Sequence, residues 1–476
     1  MSNVIPKIKF GTDGWRAIMD TEYTMENLEY VSQAFADLMN ANQKKAGKAG
    51  VPRIVIGYDF RENSEVFAHR AAEILVANGI QVILSSAACP TPAVSFTIVD
   101  EKYDAGIAIT ASHNPARYNG FKIKNEIGSS AEKTITDAVE TLIGKNPVKK
   151  SAFTAQNPVI RDINVKFIQN LKNYLRMDVI KAAPYRILVD SMHGVGADNM
   201  EKMLAGGKIK VKTIRGNRDI TFGGVAPEPI AKYLAPSIEL MKTGDYDLGV
   251  VTDGDADRVG AIRPGGEFVS PGIILSLILL HFVQDLKKSG GVVTTVSNTG
   301  LIYRVARKLG VKVFETPVGF KYICEVMRRE NILIGGEESG GIAFQGYMFE
   351  RDGMLSSLLL MQMMAMRGQN FEQILEAVEK EFGRLYYVRS DINYPNELKP
   401  KLFQMLSSGA PKSFQGLKVE RVNDADGMKF VLEDDNWLLF RLSGTEPILR
   451  VYAEATSQKL AEALVNEGKE LAFSVK

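Results

Sequence analysis

Asp253, Asp255 and Asp257 stand at every second position of "DGDADR" (253–258), directly after an apolar run. Carboxylates gathered this closely repel one another and raise one another's pKa. A divalent cation is a chemical reason to collect them, and a set of oxygen donors with few protein ligands suits Mg2+. An EF-hand does not fit, because Gly is absent from the sixth loop position and no Glu stands at the twelfth. Arg258 is of the type that holds a phosphate or a carboxylate. The plain alternative is an acidic turn with solvated charges.

A second polar cluster, "TASHNPARYNGFKIK" (110–124), follows the apolar run "AGIAIT". Ser112 is a weak nucleophile until something activates it. A divalent cation and nearby donors would do so, and would steady a phosphoryl group on its oxygen. His113, Asn114 and Lys122 supply donors. A Ser/Thr turn with a helix cap is the other reading. In "GGEESGG" (335–341), Glu337 and Ser339 sit in a glycine frame and could bond vicinal sugar hydroxyls; a flexible turn is the alternative. "FRLSGTEPILR" (440–450) places Arg441, Ser443, Gly444 and Thr445 in succession, a phosphate nest or a hairpin turn. Arg450 adds charge there or decorates a strand. "FGTDGWRAIMD" (10–20) carries Arg16 in a Gly-bracketed turn.

These loops need elements to hold them. "RIVIGYD" (53–59), "IQVILS" (80–85) and "AGIAIT" (105–110) read as buried strands. "SEVFAHRAAEILVANG" (64–79) reads as a helix, with Ser64 as N-cap and a stop at Asn78-Gly79. Continuous apolar strands alternating with helices imply a mostly parallel sheet. The layout recurs at 185–196 and 246–260, and again across 291–341, so three α/β units each end a buried strand in an unusual loop. Ligands bind beyond the carboxyl ends of such strands. "MKFVLE", "NWLLFRLSG" and "ILRVYAEA" are close-set strands followed by one helix, which reads as a small antiparallel α+β domain. The Met-rich "MLSSLLLMQMMAMRG" (354–368) reads as a core helix. Segments around 145–160 and 369–390 are boundary candidates, and "ANQKKAGKAG" (41–50) reads as a mobile surface loop.

With 476 residues the chain has room for about three or four domains. Lys+Arg 58 against Asp+Glu 56 does not mark a nucleic-acid or anionic-membrane binder. The longest apolar run, "GIILSLILLHFV" (272–283), is too short to span a bilayer and reads as a buried helix. The N-terminal stretch has no signal-peptide pattern, and Cys89 and Cys324 lie in apolar surroundings, which suggests a reducing, cytoplasmic setting. Four histidines and two cysteines without metal spacing argue against zinc.

Taken together and in order, the "TASHNP…NGFK", "DGDADR", "TPVGFK", "GEESGG" and "RLSGTEP" segments resemble the α-D-phosphohexomutase family, which includes phosphoglucomutases and phosphomannomutases. The resemblance implies an α/β architecture: three similar mixed-sheet α/β domains and a smaller C-terminal α+β domain around a central cleft. Boundaries at 1–153, 154–265, 266–380 and 381–476 follow. It implies reversible conversion of a hexose 1-phosphate to the 6-phosphate through phosphorylated Ser112 and a 1,6-bisphosphate. By the same resemblance Ser112, Asp253, Asp255 and Asp257 hold Mg2+. Lys122, His113, Arg16 and Arg258 surround the transferring group, with Lys122 the first candidate for the base. Glu337, Ser339, Gly319 and Lys321 meet the sugar; Arg441, Ser443, Gly444 and Thr445 hold the other phosphate. Glucose 1,6-bisphosphate is the implied activator. The implied partners are sugar phosphates, with no nucleic acid or membrane, and a monomer or homodimer. One departure stands out. Members that also take mannose often end the sugar loop in histidine, whereas Gly341 stands here, so glucose is the expected sugar, with a phosphomannomutase or a dual-specificity enzyme as the alternative.

Overall fold

The computed structural model describes residues 8–409, 411–442 and 447–475. The chain forms two compact units, Met1–Ile274 with Ser339–Glu372, and Leu275–Glu338 with Gln373–Lys476. Four sheets are built along it, giving four domains.

In the first unit, a six-stranded sheet runs Trp15–Ile18, Tyr118–Lys124, Ala105–Ile109, Arg53–Tyr58, Gln81–Ser85, Val159–Arg161. Its last four strands are parallel and its first two antiparallel. The helix Met25–Lys45 buries Leu28, Val31, Ser32 and Phe35 on one stripe, the spacing of an amphipathic helix, and Thr24 caps it by accepting from the Asn27 N–H. Phe35 meets Phe121 edge-on at 6.3 Å between ring centres; its truncation to Ala costs about 3–5 kcal/mol. This helix runs through Lys45, so the expected loop at 41–50 is helical in its first half. Ser64 opens the helix Ser64–Ala77 but does not cap it; its hydroxyl donates to Asp59 Oδ1 at 2.7 Å.

The second sheet follows the order Phe268–Val269, Val259–Ile262, Leu248–Thr252, Arg186–Asp190, Lys210–Ile214. Both sheets use one device. A parallel buried strand (Ala105–Ile109, Leu248–Thr252) runs out into a polar loop, and the chain returns antiparallel beside it. In the first sheet this return sets Lys122 opposite Ala108, and Arg16 opposite Gly120 on the next strand. The Met-rich helix Gly353–Arg367 is buried almost throughout its length and packs on strands Leu248–Thr252 and Val259–Ile262. That packing ties residues 339–352 to the aspartate loop.

In the second unit, strands Val313–Thr316, Gly291–Thr295 and Ile332–Gly336 are parallel. The last sheet is antiparallel, in the order Tyr386–Asn393, Ile448–Ala455, Trp437–Leu442, Met428–Leu432, Leu417–Asn423, Ser413–Phe414. The helix Gln458–Phe473 covers it, capped by Ser457 and buried through Ala461, Leu464 and Val465. The sequence reading found three of these six strands; it missed Leu417–Asn423, Ser413–Phe414 and the long first one, whose alternating half-exposed pattern carries no continuous apolar run. Among the described residues no helix is long and apolar enough to cross a membrane.

Candidate functional site

Ser112 lies just past the end of the strand Ala105–Ile109, buried, with φ +52°. A non-glycine residue in that region costs about 1–2 kcal/mol, so its surroundings must hold it there. Its N–H donates to Thr110 Oγ1 at 2.9 Å, and Thr110 donates to Asp59 Oδ2 at 2.6 Å. Arg61 completes the clamp. Its guanidinium donates to the carbonyls of Ser112 and Asn114, both at 2.6 Å, Pro115 at 2.9 Å and Tyr118 at 3.0 Å. Arg61 pairs with Asp59 at 3.1 Å, and both are fully buried. Burial pushes Asp59 upward despite Arg61, Thr110 and Ser64. The sequence reading missed this pair; its signal is a charged Asp-x-Arg directly after a buried strand.

The serine loop meets the aspartate loop. Ser112 Oγ donates to Asp253 Oδ2 at 2.8 Å. A Cβ at Gly254 would lie 2.6 Å from the Ser112 carbonyl oxygen, so the second loop position must be glycine for the two loops to touch. Asp253 Oδ1 accepts from the N–H groups of Asp257 and Arg258 at 3.0 and 3.1 Å. Asp255 Oδ2 accepts from Thr91 at 2.6 Å and Lys122 at 2.7 Å. Asp257 Oδ2 accepts from Arg351 at 2.7 Å and Lys122 at 3.3 Å. Asp255 Oδ1 and Asp257 Oδ1 are buried without a hydrogen-bond partner. One carboxylate oxygen from each aspartate lies within 4.8 Å of the others. Two buried carboxylate oxygens without partners in so tight a group of aspartates are what a hard dication satisfies, so the donor set fits Mg2+.

The electrostatics separate these groups. Burial, with Asp255 and Asp257 alongside, pushes Asp253 well above the usual carboxylate range. Burial would raise Asp255 too, but Lys122 and Thr91 outweigh it and hold it low. Burial pulls Lys122 down, yet Asp13, Asp255 and Asp257 more than reverse this, so Lys122 is an ammonium with a raised pKa. This charge state weighs against Lys122 as the base. His113 lies 3.4 Å from Ser112 Oγ through Nδ1. Burial, then Arg258 and Arg16, drive its pKa well below the ordinary value, so it is neutral at pH 7.

Asp13 gathers the cations. Its Oδ2 meets Arg16 at 2.9 Å, Lys122 at 3.0 Å and Arg351 at 2.9 Å, and its Oδ1 accepts from Ser130 at 2.9 Å. Burial opposes ionisation, but Lys122, Arg351, Lys124 and Arg16 hold Asp13 well below the carboxylate range. Arg16 also donates to Asn114 Oδ1 at 3.1 Å. Arg258 Nε lies 3.9 Å from Asp257 Oδ1. Asp13, Thr91 and Arg351 were missed from sequence. Asp13 sits in the Arg16 turn and was within reach; the other two are isolated residues without a local pattern.

The first unit also carries half-buried Ser339, next to Gly340, whose carbonyl accepts from the Val259 N–H at 3.0 Å. The second unit carries the remaining described residues. Glu337 is buried just past the strand Ile332–Gly336. Gly319, at φ +138°, precedes the helix Phe320–Arg329, which holds Lys321 in its first turn. Arg441 donates to Asp426 Oδ2 at 2.7 Å, and the Val318 N–H donates to the same oxygen at 2.9 Å. Asp426 thus links the strand of Arg441 to the "TPVGF" turn. Arg450 lies 3.5 Å from Asp391. Ser443, Gly444 and Thr445 fall outside the described residues.

Four family models match in order. Phosphoglucomutase/phosphomannomutase alpha/beta/alpha domains I, II and III match residues 7–149, 165–266 and 271–382, and the C-terminal domain matches 408–470. A phosphoglucosamine/phosphogalactosamine mutase of Sulfurisphaera tokodaii is 30% identical, over 97% of this chain and 98% of the relative. A phosphoglucomutase/phosphomannomutase of Thermococcus kodakarensis is 29% identical over the same shares. A structure described as a phosphomannomutase, from Thermus thermophilus, superposes with TM-score 0.85 at 31% identity, over 98% of this chain and 99% of that one. A Paramecium phosphoglucomutase in its open form shares the fold, with TM-score 0.83 at 22% identity, over 98% of this chain and 96% of that one. The chain belongs to the phosphoglucomutase/phosphomannomutase family, the α-D-phosphohexomutases.

Proposed function

We propose that this phosphohexomutase interconverts α-D-glucose 1-phosphate and glucose 6-phosphate through phosphorylated Ser112 and a glucose 1,6-bisphosphate intermediate. The contact of Ser112 Oγ with the buried aspartate loop, among Lys122, Arg16 and neutral His113, carries the reading. Asp253, Asp255, Asp257 and Ser112 would hold Mg2+, which supplies positive charge to the transferring group.

In the transfer, the bond from Ser112 Oγ to phosphorus breaks and one from the sugar O6 forms. The O6 hydroxyl loses a proton and Ser112 Oγ gains one, so protons balance across the step. His113, 3.4 Å from Oγ through Nδ1, would stand beside the oxygen that gains the proton. Lys122, held as a cation, together with Arg16 and Arg258, neutralises phosphoryl charge. The second half of the cycle runs in reverse with the other phosphate of the reoriented bisphosphate: the bond from the sugar O1 to phosphorus breaks, Ser112 Oγ takes the phosphoryl group again, and its proton passes to O1. Arg441, with Ser443, Gly444 and Thr445, would hold the phosphate that is not reacting, and Glu337, Ser339, Gly319 and Lys321 the sugar.

Glucose is favoured over mannose by Gly341, which leaves the sugar loop without a terminal imidazole. An amino sugar is the second reading, favoured by the name of the Sulfurisphaera relative. A coupled assay with Mg2+ and a trace of glucose 1,6-bisphosphate tests these readings, with glucose, mannose and glucosamine 1-phosphates in parallel. Preference for glucose supports the proposal. Comparable glucose and mannose rates make the enzyme dual-specific, and preference for glucosamine overturns the glucose assignment. Inorganic phosphate released in step with substrate loss would mark a phosphatase instead.

A further inference from the structure

Gly341 closes the glycine-framed loop and forms an isolated antiparallel bridge with Arg258. A Cβ built on Gly341 would lie 2.1 Å from Arg351 Cδ and 2.8 Å from its Cγ. No carbon–carbon contact survives at the first of these distances. The Arg351 shaft therefore passes through the volume that any side chain at 341 would need.

The backbone on either side of Arg351 is fixed. Its backbone is pinned on its carboxyl side. Asp352 caps the helix Gly353–Arg367 by accepting from the Leu355 N–H at 2.8 Å, and Tyr347 donates to its other oxygen at 2.9 Å. The Gly353 N–H donates to the Ala256 carbonyl at 3.0 Å, inside the aspartate loop itself. On its amino side, Glu350 is fully buried in a pair with Lys124. The guanidinium, with its side chain only 4% exposed, ends on Asp257 and Asp13. Asp257 Oδ2 is thereby fixed, while Oδ1 is left without a hydrogen bond.

We propose that Arg351 is the positioning residue of the aspartate loop, and that Gly341 exists to let it pass. Arg351 holds Asp257 with one oxygen engaged and the other presented to a divalent cation. Residue 341 thus sets cation affinity through Arg351. The inference rests on reading this loop as a cation site. An imidazole at 341 would collide with Arg351 unless residue 351 changed with it.

The test is Mn2+ binding to the full-length protein, followed by electron paramagnetic resonance and calorimetry. Gly341→Ala and Arg351→Ala are each expected to weaken Mn2+ binding by roughly tenfold, the usual cost of removing a group that orients a metal ligand. The double variant is expected to bind like Arg351→Ala, because the added methyl then has nothing to displace. Arg351→Met, which keeps the shaft and loses the fork, is expected to match Arg351→Ala and serves if the latter does not fold. Gly341→Ala with wild-type affinity, or effects that simply add in the double variant, would overturn the proposal alone. Absence of Mn2+ binding by the wild type would overturn the cation reading and the proposal with it.

Discussion

Ser112 Oγ donates a 2.8 Å hydrogen bond to Asp253 Oδ2, joining the serine loop of one sheet to the aspartate loop of the next. This bond aligns the hydroxyl with the group of carboxylates, 141 positions away in the chain. Incubation with glucose 1,6-bisphosphate is expected to add one phosphoryl group to the protein, read by intact mass, and none to Ser112→Ala. Turnover in that variant is expected to fall by at least about a thousandfold. A near-normal rate would remove Ser112 as the carrier.

Arg61 should matter for stability and rate together. It satisfies four carbonyls of the serine loop and neutralises buried Asp59. Arg61→Ala leaves a buried carboxylate unpaired and is expected to cost about 3–5 kcal/mol in urea unfolding. Arg61→Lys keeps a charge but not the fork of donors, and should recover part of the stability and little of kcat. Equal recovery of both would mean that only the charge matters.

Lys122 is expected to stay protonated throughout the working pH range, because three carboxylates surround it. Lys122→Arg should therefore keep more activity than Lys122→Met. The alkaline limb of the pH–rate profile should not move between Lys122→Arg and wild type. A limb that disappears in Lys122→Arg would restore lysine as the base.

Asp352 supplies a pH signature in stability. Burial pushes its carboxyl to about 7 in the fold, against hydrogen bonds from Leu355 and Tyr347 that pull it down. Between the ordinary carboxylate pKa and about 7, the native state binds more protons than the unfolded state. Stability from this group is complete at low pH and falls as pH rises through 7, by up to about 4 kcal/mol. Asp352→Asn should remove that fall and flatten the unfolding free energy between pH 4 and 7 relative to wild type. Parallel curves for the two proteins would refute the assignment.

The two cysteines should be inert in the native protein. Both are buried, and burial pushes the Cys89 thiol up to about 12, far from the thiolate that reacts. Titration with Ellman's reagent at pH 8 is expected to detect no thiol before denaturation and two after it. Fast native labelling would show that one of them is reached by local opening.

Much of the architecture was legible because the signals are local. A buried strand such as Ala105–Ile109 is a continuous apolar run, and the Met-rich helix announces itself by composition. Elements with a half-exposed face were harder. The strand Tyr386–Asn393 alternates between half-buried and exposed, so nothing in its own residues demands a sheet. The error at Ser64 has the same root: a serine before a helix is ordinarily a cap, and only the fold places Asp59 where it takes the hydroxyl instead.

By itself, the sequence determined which chemical groups the protein concentrates and in which loops. Clustered carboxylates, a serine after a buried strand and glycine-framed turns are contiguous in the chain and imply their chemistry where they stand. Tertiary structure alone decided the surroundings of those groups. Lys122 is an ammonium because folding brings Asp13, Asp255 and Asp257 to it. Gly341 is glycine because Arg351 crosses above it. Electrostatic and steric energies depend on distance in space, and these partners meet only when segments remote in the chain are packed together.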